Sequence, residues 1–481
     1  MTDGPLFTLR DVFGFDAFRG VQEQVVGRVL AGQHTLAVMP TGAGKSLCYQ
    51  LPSLFLKGAV VVVSPLIALM QDQYERLAEA DIEAARLDST VSPSEQEESE
   101  QALREGSHDI VLMTPERLQK PEHLEPLIER GVDLFVVDEA HCVSLWGHDF
   151  RPAYLELRHV IEKLGRPPVL ALTATAPPDR VDDILDALGI ADARVIRGSI
   201  DRENLRFEVF RTVNTAEKQQ GLLRILDETP GSGIIYVSTV REVDEVHGWL
   251  AASGIEAVRY HGRLGLAARE RAQARFMSGE CRLIVATNAF GLGVDKADVR
   301  FVVHWNFPES VESYYQEAGR AGRDGEPARC ALFYRLEDKR VRTFFIGGKH
   351  PRADEVRRLI ETLRTDAGAG DARTIAELAS ATGLSERRVR VIAAGLEGLG
   401  LVVRRRGGRA LKRSLSPHEL QRFVSSFEGH MDADRGRLRQ IMAYGESVRC
   451  RVQFLREYFG ESAGDPCGNC DSCLRPLRPI T

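Results

Sequence analysis

Two short stretches carry the residues needed to hydrolyse a nucleotide: Pro40-Thr-Gly-Ala-Gly-Lys-Ser46 and Asp138-Glu-Ala-His141. In the first, Thr41-Gly42-x-Gly44 is a small-residue turn whose backbone N–H groups can approach phosphate oxygens. Lys45 would reach the β- and γ-phosphates, and the Ser46 hydroxyl would ligate Mg2+. Met39 stands where the general phosphate-loop pattern has its first glycine, so the match is to the shorter form, Thr-Gly-x-Gly-Lys-Ser. In the second stretch, Asp138 would hold Mg2+ through water, and Glu139 would orient or deprotonate the attacking water. Alone, a Gly-Lys-Ser turn or a pair of acids at a strand end is an ordinary solvated turn. Each following an apolar strand in one chain, they predict an ATPase.

Three further groups could do chemistry. Arg320 and Arg323, spaced i, i+3, present guanidinium groups that cannot be deprotonated and can bridge phosphate oxygens as charge develops. Facing the first site across a cleft, Arg323 would be the transition-state finger and Arg320 a phosphate contact. Trp146, His148, Asp149, Phe150 and Arg151 mix aromatic faces with charge, which suits stacking on single-stranded bases. Taken singly, Trp146 and Phe150 read equally well as core residues. Cys450, Cys467, Cys470 and Cys473 supply four thiolates, enough for a closed tetrahedral Zn2+ site. An iron–sulfur cluster is the alternative at this spacing.

These residues need rigid elements behind them. Thr35–Met39, Ala59–Ser64, Asp109–Met113, Leu134–Val137 and Val169–Leu172 are apolar runs of the kind buried on both faces of a parallel sheet. A second series, Gly233–Val237, Ala257–Tyr260, Cys281–Ala286 and Phe301–His304, repeats the pattern without a phosphate loop. The fold class is therefore α/β, with domains over 1–203 and 204–346. Beyond them, Thr374-x-x-Glu377 is a capping box, Ser385 caps a second helix, and Leu401–Leu411 reads as a hairpin around Gly-Gly. This pattern predicts a winged helix over 352–425. Nine basic residues stand against two acidic ones from Ser385 to Arg413. Arg387 and Arg388 at a helix N-terminus, where the dipole disfavours cations, and Arg404, Arg405 and Arg406 in the hairpin predict a DNA phosphate face. Protein contact or packing is the other reading of such a domain. Residues 430–481 form the helical zinc module, with Tyr444–Phe459 read as one helix.

The stretch Leu9-x3-Phe13-Gly14-x3-Phe18-Arg19-x2-Gln22 resembles the adenine-recognition motif of RecQ-family DNA helicases of superfamily 2. Asp-Glu-Ala-His resembles their magnesium and water-activating motif, and Trp146-Gly-His-Asp-Phe-Arg-Pro152 resembles the aromatic loop that couples single-stranded DNA to hydrolysis. Gln316 to Gly325 and Cys450-Arg451 to Cys473 are similar to the family's arginine motif and zinc module. The resemblance implies two tandem RecA-like domains, with Gln22 reading adenine beside Arg19 and Phe13, and Gln316 near the nucleotide. It implies 3′-to-5′ unwinding in DNA repair and recombination; the role of Zn2+ would be structural, since four thiolates leave no ligand position open. The chain departs from the family at Leu145, where Gln is usual, and in lacking an aromatic hairpin tip. It also places the winged helix before the zinc module, and only eight residues follow Cys473, too few for the family's helical accessory domain.

The net charge of −6 hides an asymmetry: from Arg352 onward there are 23 Lys/Arg against 17 Asp/Glu, so the basic tail is the part expected to meet a polyanion. No secretion signal or membrane span is legible, which points to the cytoplasm and, by resemblance, to the bacterial nucleoid. The expected partners are single-stranded and forked or duplex DNA and a single-stranded DNA-binding protein, with the chain acting as a monomer. Two other functions fit much of the pattern: an RNA helicase of the DEAD-box class, and a DNA-binding regulator whose ATPase does not unwind.

Overall fold

The computed structural model describes residues 4–475, apart from 107, 119, 144–151, 292–295, 350, 366–371, 399–400, 406–407 and 413–416. The chain divides into two compact units, residues 1–338 with 440–481, and residues 339–439.

The first unit holds two all-parallel sheets. Strands β1 (Thr35–Val38), β2 (Ala59–Val63), β3 (Ala84–Leu87), β4 (Ile110–Met113), β5 (Val132–Val137), β6 (Val169–Thr173) and β7 (Arg194–Arg197) lie in the order β3-β4-β2-β5-β6-β1-β7. Strands β8 (Leu205–Arg211), β9 (Ser232–Tyr236), β10 (Val258–Tyr260), β11 (Leu283–Ala286), β12 (Val299–His304) and β13 (Ala328–Tyr334) lie in the order β10-β11-β9-β12-β13-β8. Both are RecA-like. The period of two explains why the apolar runs are continuous. Val61, Val63, Phe135 and Val137 pack into the core on one face of the first sheet, while Val60, Val62, Leu134 and Val136 pack into the core on the other. Helices cover both faces, so neither set meets water. The capping box at Ser92 and Glu95 is formed in both directions and opens the helix Pro93–Glu105.

The strand order decides where chemistry can occur. β6 lies between β1, which leads to the phosphate loop, and β5, which leads to Asp138. The carboxyl ends of three neighbouring strands thus deliver Met39, Asp138 and Thr173 to one rim, the place where open α/β sheets bind ligands.

The second unit contains the helices Ala353–Thr365, Ile375–Thr382 and Glu386–Gly398 and the antiparallel hairpin β14 (Val402–Arg405) and β15 (Gly408–Leu411). Val356, Leu359, Ile360, Leu378, Val389, Ile392, Leu396 and Val402 form its own core. Thr374 and Glu377 make the capping box expected of them. The division expected between 425 and 430 falls inside one helix, Pro417–Glu446, and the two compact units part between 439 and 440. The stretch read as one helix, Tyr444–Phe459, is broken. Pro417–Glu446 ends and Arg451–Tyr458 begins anew, with Cys450 non-helical (φ −52°, ψ 129°) at its N-cap. The break turns Cys450 toward the other three cysteines.

Candidate active site

The phosphate loop leaves β1 and enters the helix Leu47–Ser53. Gly42 and Gly44 have φ of +83° and +70°, values that a side chain would strain, and their backbones are thereby free to line an anion site. Lys45 and Ser46 are half-buried at its end. Gln73, buried on the helix Ile67–Glu79, donates to Ser46 Oγ at 3.3 Å and accepts from Tyr49 Oη at 2.7 Å. Nothing in sequence marked Gln73 except its being a polar residue on an otherwise amphipathic helix.

Asp138 is 5% exposed at the end of β5. Its Oδ1 accepts from Glu139 N at 3.0 Å and its Oδ2 from Ser64 Oγ at 3.4 Å. Burial first, and then the charge of Glu139, push this carboxyl up to about 6, with Lys45 pulling the other way. A carboxylate so desolvated and so weakly compensated gains from a divalent cation, so the site fits Mg2+, which Asp138 and Ser46 would hold. The ion would screen phosphate charge and orient the γ-phosphoryl group.

Glu139 adopts φ +48°, the left-handed region, which costs a non-glycine residue about 1 to 3 kcal/mol. The turn swings its carboxylate back to His141, whose Nδ1 lies 3.3 Å from Glu139 Oε2 and 3.0 Å from Thr173 Oγ1. Thr173 Oγ1 in turn donates to Thr175 O at 3.1 Å and accepts from Thr175 N at 3.2 Å. His141 therefore ties the candidate base to the end of β6.

Trp146, His148, Phe150 and Arg151 lie outside the described residues, but the flanks of their loop are defined. The turns Ala140–Val143 and Pro152–Glu156 pack on each other. Tyr154, fully buried, donates to Asp138 O at 3.1 Å. Both flanks of the aromatic loop are thus fastened beside Asp138.

At the adenine side, two aromatic rings stand in different surroundings. Phe13 packs among Leu9, Val26, Leu47 and Leu51, whereas Phe15 is 45% exposed with the Arg19 guanidinium 5.7 Å from its ring centre. Gln22 is buried. Its Oε1 accepts from Arg19 N at 2.8 Å, and its Nε2 donates to Ala43 O at 3.0 Å and Gly44 O at 3.1 Å. Both amide hydrogens already serve the phosphate loop, so bidentate reading of adenine requires one of these bonds to be exchanged.

The arginine segment reaches the same rim from the second sheet. Gln316 lies on the helix Val311–Ala318, directly before it. A Cβ placed on Gly319 would stand 3.4 Å from Thr41 Cβ, and one on Gly42 would stand 3.7 Å from Arg323 Cγ. Arg320 is 7% exposed and packs on Gly291, whose φ of +144° and lack of a side chain leave room for the guanidinium. Both arginines thus belong to the wall opposite the phosphate loop.

The thiol sulfurs of Cys450, Cys467, Cys470 and Cys473 lie within 4.8 Å of one another. Cys467 N donates to Cys450 Sγ at 3.3 Å and Arg451 N to Cys470 Sγ at 3.4 Å, the kind of amide contact that stabilises thiolates. The donor set fits a closed structural Zn2+ site. Arg451 is buried beside it and donates to Asp471 Oδ1 at 2.8 Å, Asp471 Oδ2 at 3.0 Å and Tyr444 O at 2.7 Å, locking the two halves of the module together.

Comparison with known proteins covers the two sheets and the zinc module. The chain matches a DEAD/DEAH box helicase model over residues 19–184, a helicase conserved C-terminal domain model over 217–325, and a RecQ zinc-binding model over 418–474. It is 37% identical over 470 residues to a probable ATP-dependent DNA helicase RecS of Bacillus subtilis, covering 97% of this chain and 90% of that protein. The chain belongs to the RecQ family of ATP-dependent DNA helicases. It is also 35% identical to the ATP-dependent DNA helicase RecQ of the same organism, spanning 97% of this chain but 66% of that protein. The Lhr helicase of Mycobacterium smegmatis bound to single-stranded DNA and AMP-PNP shares the fold, with a TM-score of 0.57 at 20% identity over 88% of this chain and 63% of that one. As in other RecQ members, the cofactors are ATP with Mg2+ in the motor and Zn2+ in the cysteine cluster. Among the described residues, no helix is long and apolar enough to cross a membrane.

Proposed function

We propose that this chain couples ATP hydrolysis to 3′-to-5′ translocation on single-stranded DNA and to duplex unwinding, in repair and recombination. The observation that carries the reading is the attachment of both ends of the aromatic loop to the Asp138 corner, opposite the Arg320–Arg323 turn. DNA held by Trp146, His148, Phe150 and Arg151 then reports to the residues that hydrolyse ATP. Cleft closure on ATP and opening after hydrolysis would move two DNA grips relative to each other. Polarity rests on kinship alone. The test is ATP hydrolysis with single-stranded DNA against RNA, together with strand displacement on a tailed duplex. Stimulation by RNA in preference to DNA, or DNA-stimulated hydrolysis without displacement on any tailed substrate, would defeat it.

Residues 352–425 act as a winged helix in this reading, with Arg387, Arg404, Arg405 and Arg406 expected to meet phosphates; Arg406 and the side chains of Arg387 and Arg404 lie outside the described residues. Arg405 is exposed on the hairpin. Arg388 is the exception. Its side chain is 16% exposed and paired with Glu355 at 3.1 Å, so an internal carboxylate already accounts for a cation at that helix N-terminus. The chain would act as a monomer on the nucleoid, alongside a single-stranded DNA-binding protein.

Adenine would stack on Phe15, with Arg19 beside it, in preference to Phe13. Phe15→Ala is expected to raise KM for ATP by about tenfold at nearly constant kcat, from the ~1–3 kcal/mol that base stacking on an aromatic ring contributes. Phe13→Ala should instead lower stability, by less than the roughly 3–5 kcal/mol of a fully buried phenylalanine, because its ring is partly buried against the Leu9–Leu51 cluster. Steady-state kinetics and thermal melting of the two variants separate the roles, and an unchanged KM in Phe15→Ala would remove Phe15 from the base site.

A further inference from the structure

Residues 198–204 connect β7 of the first sheet to β8 of the second, and they bond to the zinc module, the phosphate loop and the arginine turn. From the zinc module, Arg456 Nε donates to Asp201 Oδ1 at 2.9 Å and Oδ2 at 3.1 Å, with Nη2 also on Oδ2. Glu461 accepts from Ile200 N at 2.8 Å and from Ser199 Oγ at 3.3 Å. Tyr315, on the helix that precedes the arginine turn, donates to Ile200 O, and its ring packs on Phe459 of the zinc module. The connecting segment is therefore seated on the zinc module through Ser199, Ile200 and Asp201.

Arg202 then spans the cleft. Its Nη1 donates to Thr41 O of the phosphate loop at 3.2 Å. Its Nη2 donates to Ala321 O at 3.1 Å and Gly322 O at 2.6 Å, inside the turn that carries Arg320 and Arg323. Nε donates to Asn204 Oδ1 at 3.3 Å, and Asn204 Nδ2 fastens the same turn through Gly322 O at 2.8 Å and Glu326 O at 2.9 Å. One planar fork thus touches both walls of the nucleotide site. All its cleft acceptors are backbone carbonyls, so the contact fixes main chain to main chain. Its charge does not titrate, and its donors diverge in fixed directions, which a lysine ammonium at the end of a flexible stem cannot reproduce.

We propose that Arg202 is a positioning residue for ATP hydrolysis. It sets the distance and angle at which the Arg320–Arg323 turn meets the phosphate loop, and the zinc module sets Arg202 through Arg456–Asp201 and Glu461–Ile200. Zinc binding thereby reaches the ATP site through the connecting segment, without any cysteine near the nucleotide. The proposal rests on the reading of Arg323 as the residue that stabilises the transition state. Arg202 neither replaces that charge nor touches the reacting atoms in this arrangement. It holds the turn that delivers it.

The test uses the full chain loaded with zinc, MgATP and a single-stranded thymidine oligonucleotide. Arg202→Lys is expected to lower kcat by about 10- to 100-fold, the cost of displacing a catalytic group by roughly an ångström, with KM for ATP within about twofold. Asp201→Asn, whose carboxylate bonds to the zinc module's Arg456, should lower kcat in the same direction by a smaller factor, with zinc content and melting temperature unchanged. Adding Arg202→Lys to Arg323→Ala should cost nothing further, because the turn then has no finger to position. Wild-type kcat in Arg202→Lys beside a disabled Arg323→Ala would overturn this proposal alone. Losses that multiply in the double variant would also overturn it, as would a kcat that falls only in step with melting temperature. Wild-type turnover in Arg323→Ala would instead remove the reading on which the proposal rests.

Discussion

Glu139→Gln is expected to bind MgATP with near-native affinity and to hydrolyse it at least about 10²- to 10⁴-fold more slowly, the range lost with a positioned general base. The substitution is nearly isosteric, and glutamine meets the left-handed backbone at this position with the same strain as glutamate, so the turn should persist. What changes is basicity. Glu139 Oε2 is buried, with His141 Nδ1 at 3.3 Å, and an amide there cannot take a proton from water. Asp138 keeps its bonds from Ser64 and, through the unaltered backbone, from residue 139 N. Removing the neighbouring charge should also ease the repulsion that raises the Asp138 carboxyl, so metal binding should not weaken. Nucleotide affinity by titration and a single-turnover rate, measured separately, check the split. A wild-type single-turnover rate would remove Glu139 as the base, and a lost affinity would make its role structural.

Much of this site was legible in sequence because the informative signals were local. A small-residue turn after an apolar strand, two acids after another, and cysteines at ligand spacing each announce their chemistry within a few residues. The two cores of the first sheet were equally legible, since a parallel strand buried on both faces must be apolar at every position. What sequence did not reveal depends on partners distant along the chain. Arg202 bonds to carbonyls of residues 41, 321 and 322, and a backbone carbonyl carries no sequence signature. Gln73 and Ser64 are single polar residues whose partners, Ser46 and Asp138, come together only when β1, β2 and β5 align. Phe13 and Phe15 are two residues apart in a turn-bounded stretch with no periodicity to say which ring faces the core. Arg388 looked misplaced at a helix N-terminus because Glu355, on another helix, was not visible as its neighbour. The break at 447–450 was hidden for a similar reason. The helix stops where the cysteine cluster needs a non-helical Cys450, a demand made by residues 467–473.

Arg323→Ala is expected to show a large loss of another kind, a fall in kcat of about 10³- to 10⁵-fold with ATP binding largely retained. Charge develops on the transferred phosphoryl group only during the reaction, so a cation arriving from the opposite wall stabilises the transition state more than the bound nucleotide. The geometry suits this division. Lys45 and the loop amides belong to the first sheet and meet the phosphates on entry, whereas Arg323 comes from the second, with its side chain already against Gly42. Arg320 is more deeply buried over Gly291, so its loss should disturb the turn as well as the phosphate contact, raising KM together with lowering kcat. Arg323→Lys should not restore the rate, because a single ammonium cannot bridge two oxygens at fixed separation. DNA binding without nucleotide should stay at the wild-type level in both Arg323 variants, since neither changes the aromatic loop or its anchors at Asp138. If Arg320→Ala lost kcat without a change in KM while Arg323→Ala lost affinity, the two roles would be exchanged. The i, i+3 spacing that places both guanidinium groups on the same wall permits that exchange, and only the kinetic split decides between them.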